Sequence, residues 1–250
     1  MILKFLEVNV SLSKSSRQHF TQGCQAALPI AIGYLPIAIT FGILAKAVGI
    51  DPALICLMSL VIYAGASQFI AINLLALGTG SSEIILTTFI LNLRHFLMSA
   101  TLSQKLDKTV TSPWRALLAF GITDETFSVA SFQKELSLDK AFLLGLNTLS
   151  YLAWSSGTAL GVFFGAIIPD ILQNSMGIAL YAMFIGLLIP QMKKYRPALI
   201  VALLAMGLNT LYTILPFSAG LSSGWGIIIS TIASAALGAM FYAKESNQWT

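Results

Sequence analysis

The sequence predicts an all-α integral membrane protein that crosses the bilayer many times, and three observations predict it. Hydrophobic residues form 56% of the 250-residue chain, charged residues only 10%, and mean hydropathy is +0.82. A soluble domain carries about 25% charged residues, so this chain lacks the polar surface to face water. The apolar residues gather into seven to eight runs of helical length, and about 20 residues suffice to span the hydrocarbon layer. Charges also sit deep inside two of those runs, at Arg94 and at Asp124-Glu125. Membrane proteins keep such charges where they meet a partner or a wet cavity.

The elements follow in order. Residues 1–25 are mixed, with Lys4, Glu7, Lys14 and Arg17. They hold no uninterrupted apolar core with a small-residue cleavage site, so a cytosolic surface helix is expected rather than a signal peptide. Segment one, Ala26–Val48, contains Pro29, Gly33, Pro36 and Gly42. Proline removes a backbone donor and glycine permits close approach, so these four mark an expected helix break or kink. Segment two, Ala53–Leu77, contains Tyr63-Ala64-Gly65-Ala66-Ser67-Gln68-Phe69. Its small residues suit tight helix packing, and Gln68 needs a partner or a substrate.

Segment three, Glu83–Leu102, carries Asn92-Leu93-Arg94-His95. Asn92 and His95 share a helix face, while Arg94 points elsewhere. Segment four, Trp114–Phe132, follows a basic loop with Lys105 and Lys108 and holds Asp124 and Glu125. Adjacent carboxylates on a helix diverge by about 100°, so one can pair with Arg94 while the other faces away. Burial disfavours a charged carboxyl, which makes the unpaired acid a candidate proton carrier, with His95 as the other. Segment five, Ala141–Ile168, holds Asn147, Tyr151 and Trp154-Ser155-Ser156-Gly157-Thr158. Segment six, Met176–Pro190, ends at the basic run Lys193-Lys194-Tyr195-Arg196. Segments seven (Pro197–Leu215) and eight (Trp225–Tyr242) are uncharged and divided by the Gly/Ser-rich Pro216–Gly224.

The whole chain reads as one membrane domain: the cytosolic segment 1–25, a first half 26–132 and a second half 133–250. The halves echo each other at offsets of 117 to 119, in Tyr34/Tyr151, Asp51/Asp170, Tyr63-Ala64/Tyr181-Ala182 and Asn92/Asn209. Basic loops alternate oppositely in the two halves, as in inverted-repeat transporters with broken or re-entrant helices. Cys24 and Cys56 have no paired spacing, so neither a disulfide framework nor a metal site is indicated. No cofactor, metal or catalytic residue is predicted, and the net charge of +4 says nothing of nucleic acid.

Five motifs in order give the sequence a family resemblance. They are Leu28-Pro29-Ile30 through Phe41-Gly42, Tyr63 to Phe69, Leu93-Arg94-His95, Gly121-Ile122-Thr123-Asp124-Glu125-Thr126-Phe127, and Trp154 to Thr158 with Gly161. Together they resemble the AzlC family of branched-chain amino acid permeases, the large subunits of LIV-E type exporters. The resemblance implies export of valine, leucine, isoleucine and methionine across a bacterial inner membrane by an ion-driven secondary transporter. It also implies a small membrane partner of the AzlD type. The residues themselves suggest the roles. Gln68, Asn92, Arg94, Asp124 and Trp154 are candidate substrate ligands, and His95, Asp124 and Glu125 candidate proton-coupling groups. Two rival readings remain at this stage. One is an intramembrane serine protease using Ser67 and His95, although Gln68 stands where the second glycine of its motif belongs. The other is a channel or scaffold subunit that does not transport.

Overall fold

The computed structural model describes residues 2–107, 109–133, 138–167, 195–214 and 223–242, with single positions between 169 and 193; for residues 2–15 it describes the backbone. The helices are α1 (Ile2–Ala47), α2 (Pro52–Val61), α3 (Gly65–Ala76), α4 (Ser81–Lys105), α5 (Ser112–Phe120), α6 (Asp124–Ser131) and α7 (Lys140–Phe164), which ends in a 3-10 turn (Gly165–Ile167). Then come α8 (Arg196–Ile214) and α9 (Ser223–Tyr242). Most of the sixth predicted segment, Met176–Pro190, lies outside the described residues. So do most of Pro216–Gly224 and the echo residues Asp170, Tyr181 and Ala182.

Among the described residues, four stretches are long and apolar enough to cross a membrane: Ser16–Ala47, Ser81–Lys105, Arg196–Ile214 and Gly224–Phe241. They coincide with predicted segments one, three, seven and eight, and the protein is a multi-pass membrane protein. Segments two and four depart from expectation, because each is two short helices rather than one. The starts of the helices follow from capping chemistry. Asp51 accepts from the Ala53 amide at 2.8 Å, and Asp139 accepts from the Ala141 and Phe142 amides at 2.7 and 3.1 Å. Pro52 and Pro113 occupy first-turn positions where a missing N–H costs nothing. In the loop before α5, the Thr109 amide and hydroxyl hold the exposed Asp107 carboxyl below the usual carboxylate range.

The chain divides into two compact units, residues 1–68 with 92–177 and residues 69–91 with 178–250. In the first, α1 lies along α7, and α2, α5 and α6 also pack on α7. The close approach comes from glycine. A side chain at Gly42 would strike the Thr158 carbonyl, and one at Gly161 would strike the Ile39 carbonyl. At Gly157 an added Cβ would lie 2.8 Å from the Ala38 methyl. In lipid, where apolar burial drives little association, such small-residue seams let dispersion contacts hold two helices together. In the second unit α8 packs on α9. There the Glu83 carboxylate accepts from the Trp225 amide at 3.0 Å, placing a negative charge at a helix N-terminus, where the dipole favours it.

Of the break or kink expected at Pro29, Gly33, Pro36 and Gly42, the break is absent: α1 continues unbroken through both prolines. Each proline deletes one hydrogen bond, but the flanking turns keep theirs and α7 braces the helix along its length. Gly42 serves the α1–α7 seam instead, and a Cβ at Gly33 would meet nothing within 4 Å. We therefore expect Gly33→Ala to leave the melting temperature in detergent unchanged or raised, since alanine gains up to about 1 kcal/mol over glycine in a helix. Gly161→Ala should lower it by several degrees. Equal effects from the two variants would overturn this account of the seam.

Candidate functional site

Among the described residues, two helix breaks lie elsewhere, both in the first unit. One separates α2 from α3 at residues 62–64, where Tyr63 adopts φ +44°, a left-handed conformation that non-glycine residues seldom take without a compensating gain. The other separates α5 from α6 at residues 121–123. Here Gly121 closes α5, and Thr123 opens α6 through a reciprocal capping box with Thr126.

Each break exposes helix ends that must find hydrogen-bond partners. One face of α7 supplies partners for the C-terminal ends. Asn147 Nδ2 donates to the Leu118 carbonyl of α5 at 2.9 Å, and one turn later the Tyr151 hydroxyl donates to the Leu60 carbonyl of α2 at 2.8 Å. Another turn along, Trp154 Nε1 donates to Gln68 Oε1 at 3.0 Å, and Gln68 Nε2 donates to Ser59 Oγ at 3.0 Å. The Ser59 and Thr158 hydroxyls, 2.8 Å apart, complete the chain. Gln68 and Trp154 are almost fully buried, at 1% and 3% exposure, and their polar groups are engaged with each other. They brace α3 against α7 across the break.

The charged groups converge on the second break. Arg94 Nη1 lies 2.6 Å from Asp124 Oδ2, with the two side chains 35% and 27% exposed. This ion pair ties α4 to the first turn of α6. Glu125, on the same turn, faces away from it. The Tyr34 hydroxyl of α1 donates to Glu125 and lies 2.7 Å from Thr123 Oγ1. Asn92 and His95 are half-buried on α4. The buried Asn92 Oδ1 has no partner among the described residues. The Ser67 hydroxyl donates to the Ala64 carbonyl at 2.9 Å, so the nucleophile–base pair of the protease reading is not formed with His95.

Aromatic rings join the two breaks. Tyr63 lies 5.1 Å from Tyr151 and 6.1 Å from Phe120, centroid to centroid, and Phe120 lies 5.8 Å from Tyr151. Tyr34 meets Trp154 edge-on at 5.5 Å. Tyr34 and Tyr63 were not singled out from sequence as site residues. Their signals in the sequence were a hydroxyl inside an apolar run, a place in the echo between the halves and a place within the family motifs.

A family model described as AzlC protein matches residues 29–168, more than half the chain and the whole of this polar cluster. The chain belongs to the AzlC family. It is 40% identical over 185 residues to an uncharacterized membrane protein of Archaeoglobus fulgidus, covering 73% of this chain and 80% of that relative. It is 30% identical over 203 residues to the inner membrane protein YgaZ of Escherichia coli (strain K12), covering 78% and 83%. It is 27% identical over 195 residues to the branched-chain amino acid transport protein AzlC of Bacillus subtilis (strain 168), covering 76% and 75%. No solved structure matches the chain. The AzlC match thus spans both breaks, the Arg94–Asp124 pair, Glu125 and the α7 face that supports them.

Proposed function

We propose that this AzlC-family protein is a secondary transporter that exports branched-chain amino acids across a bacterial inner membrane, coupled to protons and acting with a small AzlD-type membrane subunit. The observation that carries the reading is the meeting of two interrupted helices around an acid that its neighbouring cation does not neutralise. Arg94 is committed to Asp124 at 2.6 Å, while Glu125 meets tyrosine and threonine hydroxyls instead. Interrupted helices of this kind hold substrates and coupling ions near the bilayer midplane in other secondary transporters. The Bacillus subtilis relative named as a branched-chain amino acid transport protein supports the substrate class. An amino acid brings an ammonium, a carboxylate and an apolar side chain. Glu125 suits the first, and the rings of Tyr63, Phe120 and Tyr151 suit the last. Gln68 and Trp154 form a rigid wall of the site, and Arg94 with Asp124 holds α6 in place. Glu125, with His95 as the second candidate, takes up and releases the proton as access alternates.

Reconstitution with the small partner into liposomes tests this directly. Valine efflux should be saturable, should exceed alanine efflux, and should accelerate several-fold under an opposing proton gradient. Flux indifferent to that gradient removes the proton from the mechanism. Non-saturable flux returns the chain to the channel or scaffold reading.

A further inference from the structure

Two features of Tyr63 mark it out. Its backbone holds φ +44°, and such outliers cluster at functional sites. Its side chain is only 3% exposed, yet its buried hydroxyl has no partner among the described residues, whereas buried polar side chains are as a rule hydrogen-bonded. The other two tyrosine hydroxyls at the breaks are engaged. That of Tyr151 donates to the Leu60 carbonyl at 2.8 Å, and that of Tyr34 has two acceptors, Glu125 and, at 2.7 Å, Thr123 Oγ1. The neighbours of Tyr63 lie at the second break. Its ring packs on Phe120, the last residue of α5, and edge-on against Tyr151, and its phenol is within electrostatic reach of Glu125. Among the described residues no cation pairs with Glu125.

Resting on the transport reading above, we infer that Tyr63 is a substrate ligand that sets ammonium against proton at Glu125: its hydroxyl oxygen accepts a hydrogen bond from the substrate's ammonium, while the carboxylate supplies the charge. The two occupants of Glu125 differ in what they donate. A proton on the carboxyl makes one O–H donor. Tyr34 can accept it, because its own proton can then turn to Thr123 Oγ1. An ammonium brings three N–H donors that diverge from one nitrogen. A carboxylate on one side does not reach all three, and a buried donor left unmet is costly. The free oxygen of Tyr63 meets one that the carboxylate leaves. Tyr34 thus serves the protonated state of Glu125 and Tyr63 the substrate-bound state. The Tyr63 hydroxyl favours the amino acid without helping the proton that replaces it, and its ring stays beside the substrate's apolar side chain with Phe120 and Tyr151.

The test is equilibrium binding of three probes to the full-length purified protein and to Tyr63→Phe: valine, isobutylamine (no carboxylate) and isovalerate (no ammonium). Phenylalanine keeps the ring and deletes only the hydroxyl. Valine and isobutylamine should bind the variant about tenfold more weakly, the contribution of one hydrogen bond to a charged group, and isovalerate should bind as before. The variant should melt no lower than the unmodified protein, since the deleted hydroxyl has no partner to lose. With Glu125 still titrating, valine binding should still release a proton. Tyr151→Phe is the structural control: it strips the Leu60 carbonyl of its donor and should lower the melting temperature. If Tyr63→Phe weakens all three probes alike, or leaves valine and isobutylamine unchanged, Tyr63 is no ligand of the ammonium, and this inference falls while the transport reading stands. If the unmodified protein binds none of the three probes, the transport reading itself falls.

Discussion

Arg94→Ala is expected to abolish valine transport and to reduce the yield of folded protein sharply, and Asp124→Ala should do nearly the same. The pair is short, 2.6 Å, but its side chains remain about a third exposed, so it is neither a sealed core pair nor a surface one. Removing one partner of a fully buried pair costs about 3–5 kcal/mol, chiefly because the survivor is left charged and alone. Surface pairs contribute at most about 1 kcal/mol. The observed exposure places the loss for a single variant at about 2–3 kcal/mol, near the cost of a lone central cation in a membrane. The double variant Arg94→Ala/Asp124→Ala leaves no unpaired charge and should melt higher than either single one. Thermal unfolding in detergent of all four proteins gives the coupling. Strictly additive losses would show that the two groups do not interact. Arg94→Lys should restore part of the stability and less of the transport, because an ammonium lacks the planar fork that fixes direction at a carboxylate.

That Arg94 would pair with one of the two acids was legible in the sequence, because a cation and an acid stranded in neighbouring apolar runs have few alternatives to each other; that the partner is Asp124 was not. The membrane class was legible from composition, and four spanning helices fell where apolar runs of the right length stood. Of the two forms the sequence allowed for α1, a kinked helix or an unwound one, the unwound one is absent, and the interruptions lie in other helices. Prolines in α1 advertised a rupture, but a proline removes one bond from a ladder of dozens, and the glycine seam with α7 restores the support. At Tyr63 nothing in the sequence signals φ +44°, because tyrosine has no local preference for it and the surrounding packing imposes it. The second break was partly readable: Gly121 followed by Thr123 and Thr126 is a helix stop and a capped start. Gln68 and Trp154 each stood out as polar, but their bond spans 86 positions, and no spacing rule reaches that far. The same holds for Tyr34, whose importance comes from meeting Glu125 across 91 positions.

Glu125→Gln is the variant on which the coupling mechanism turns, and it should fold normally while losing proton-driven valine efflux altogether. Glutamine keeps the size of the acid and an oxygen to accept from the Tyr34 hydroxyl, so the contact among α1, Thr123 and α6 survives. What it cannot do is hold a proton or an ammonium in turn. A single carboxylate that accepts either one, but not both together, makes proton entry and substrate exit alternate on the same group. Under the proposed function, an inward proton gradient would then drive an amino acid outward. Calorimetry in buffers of different ionisation enthalpy reads this directly. Valine binding to the unmodified protein should release a proton, and binding to Glu125→Gln should release none. Asp124→Asn should behave in the opposite way, with proton release retained but the melting temperature lowered, because it uncouples Arg94 rather than the substrate. If Glu125→Gln still releases a proton on binding valine, the titrating group lies elsewhere and His95 becomes the residue to replace next.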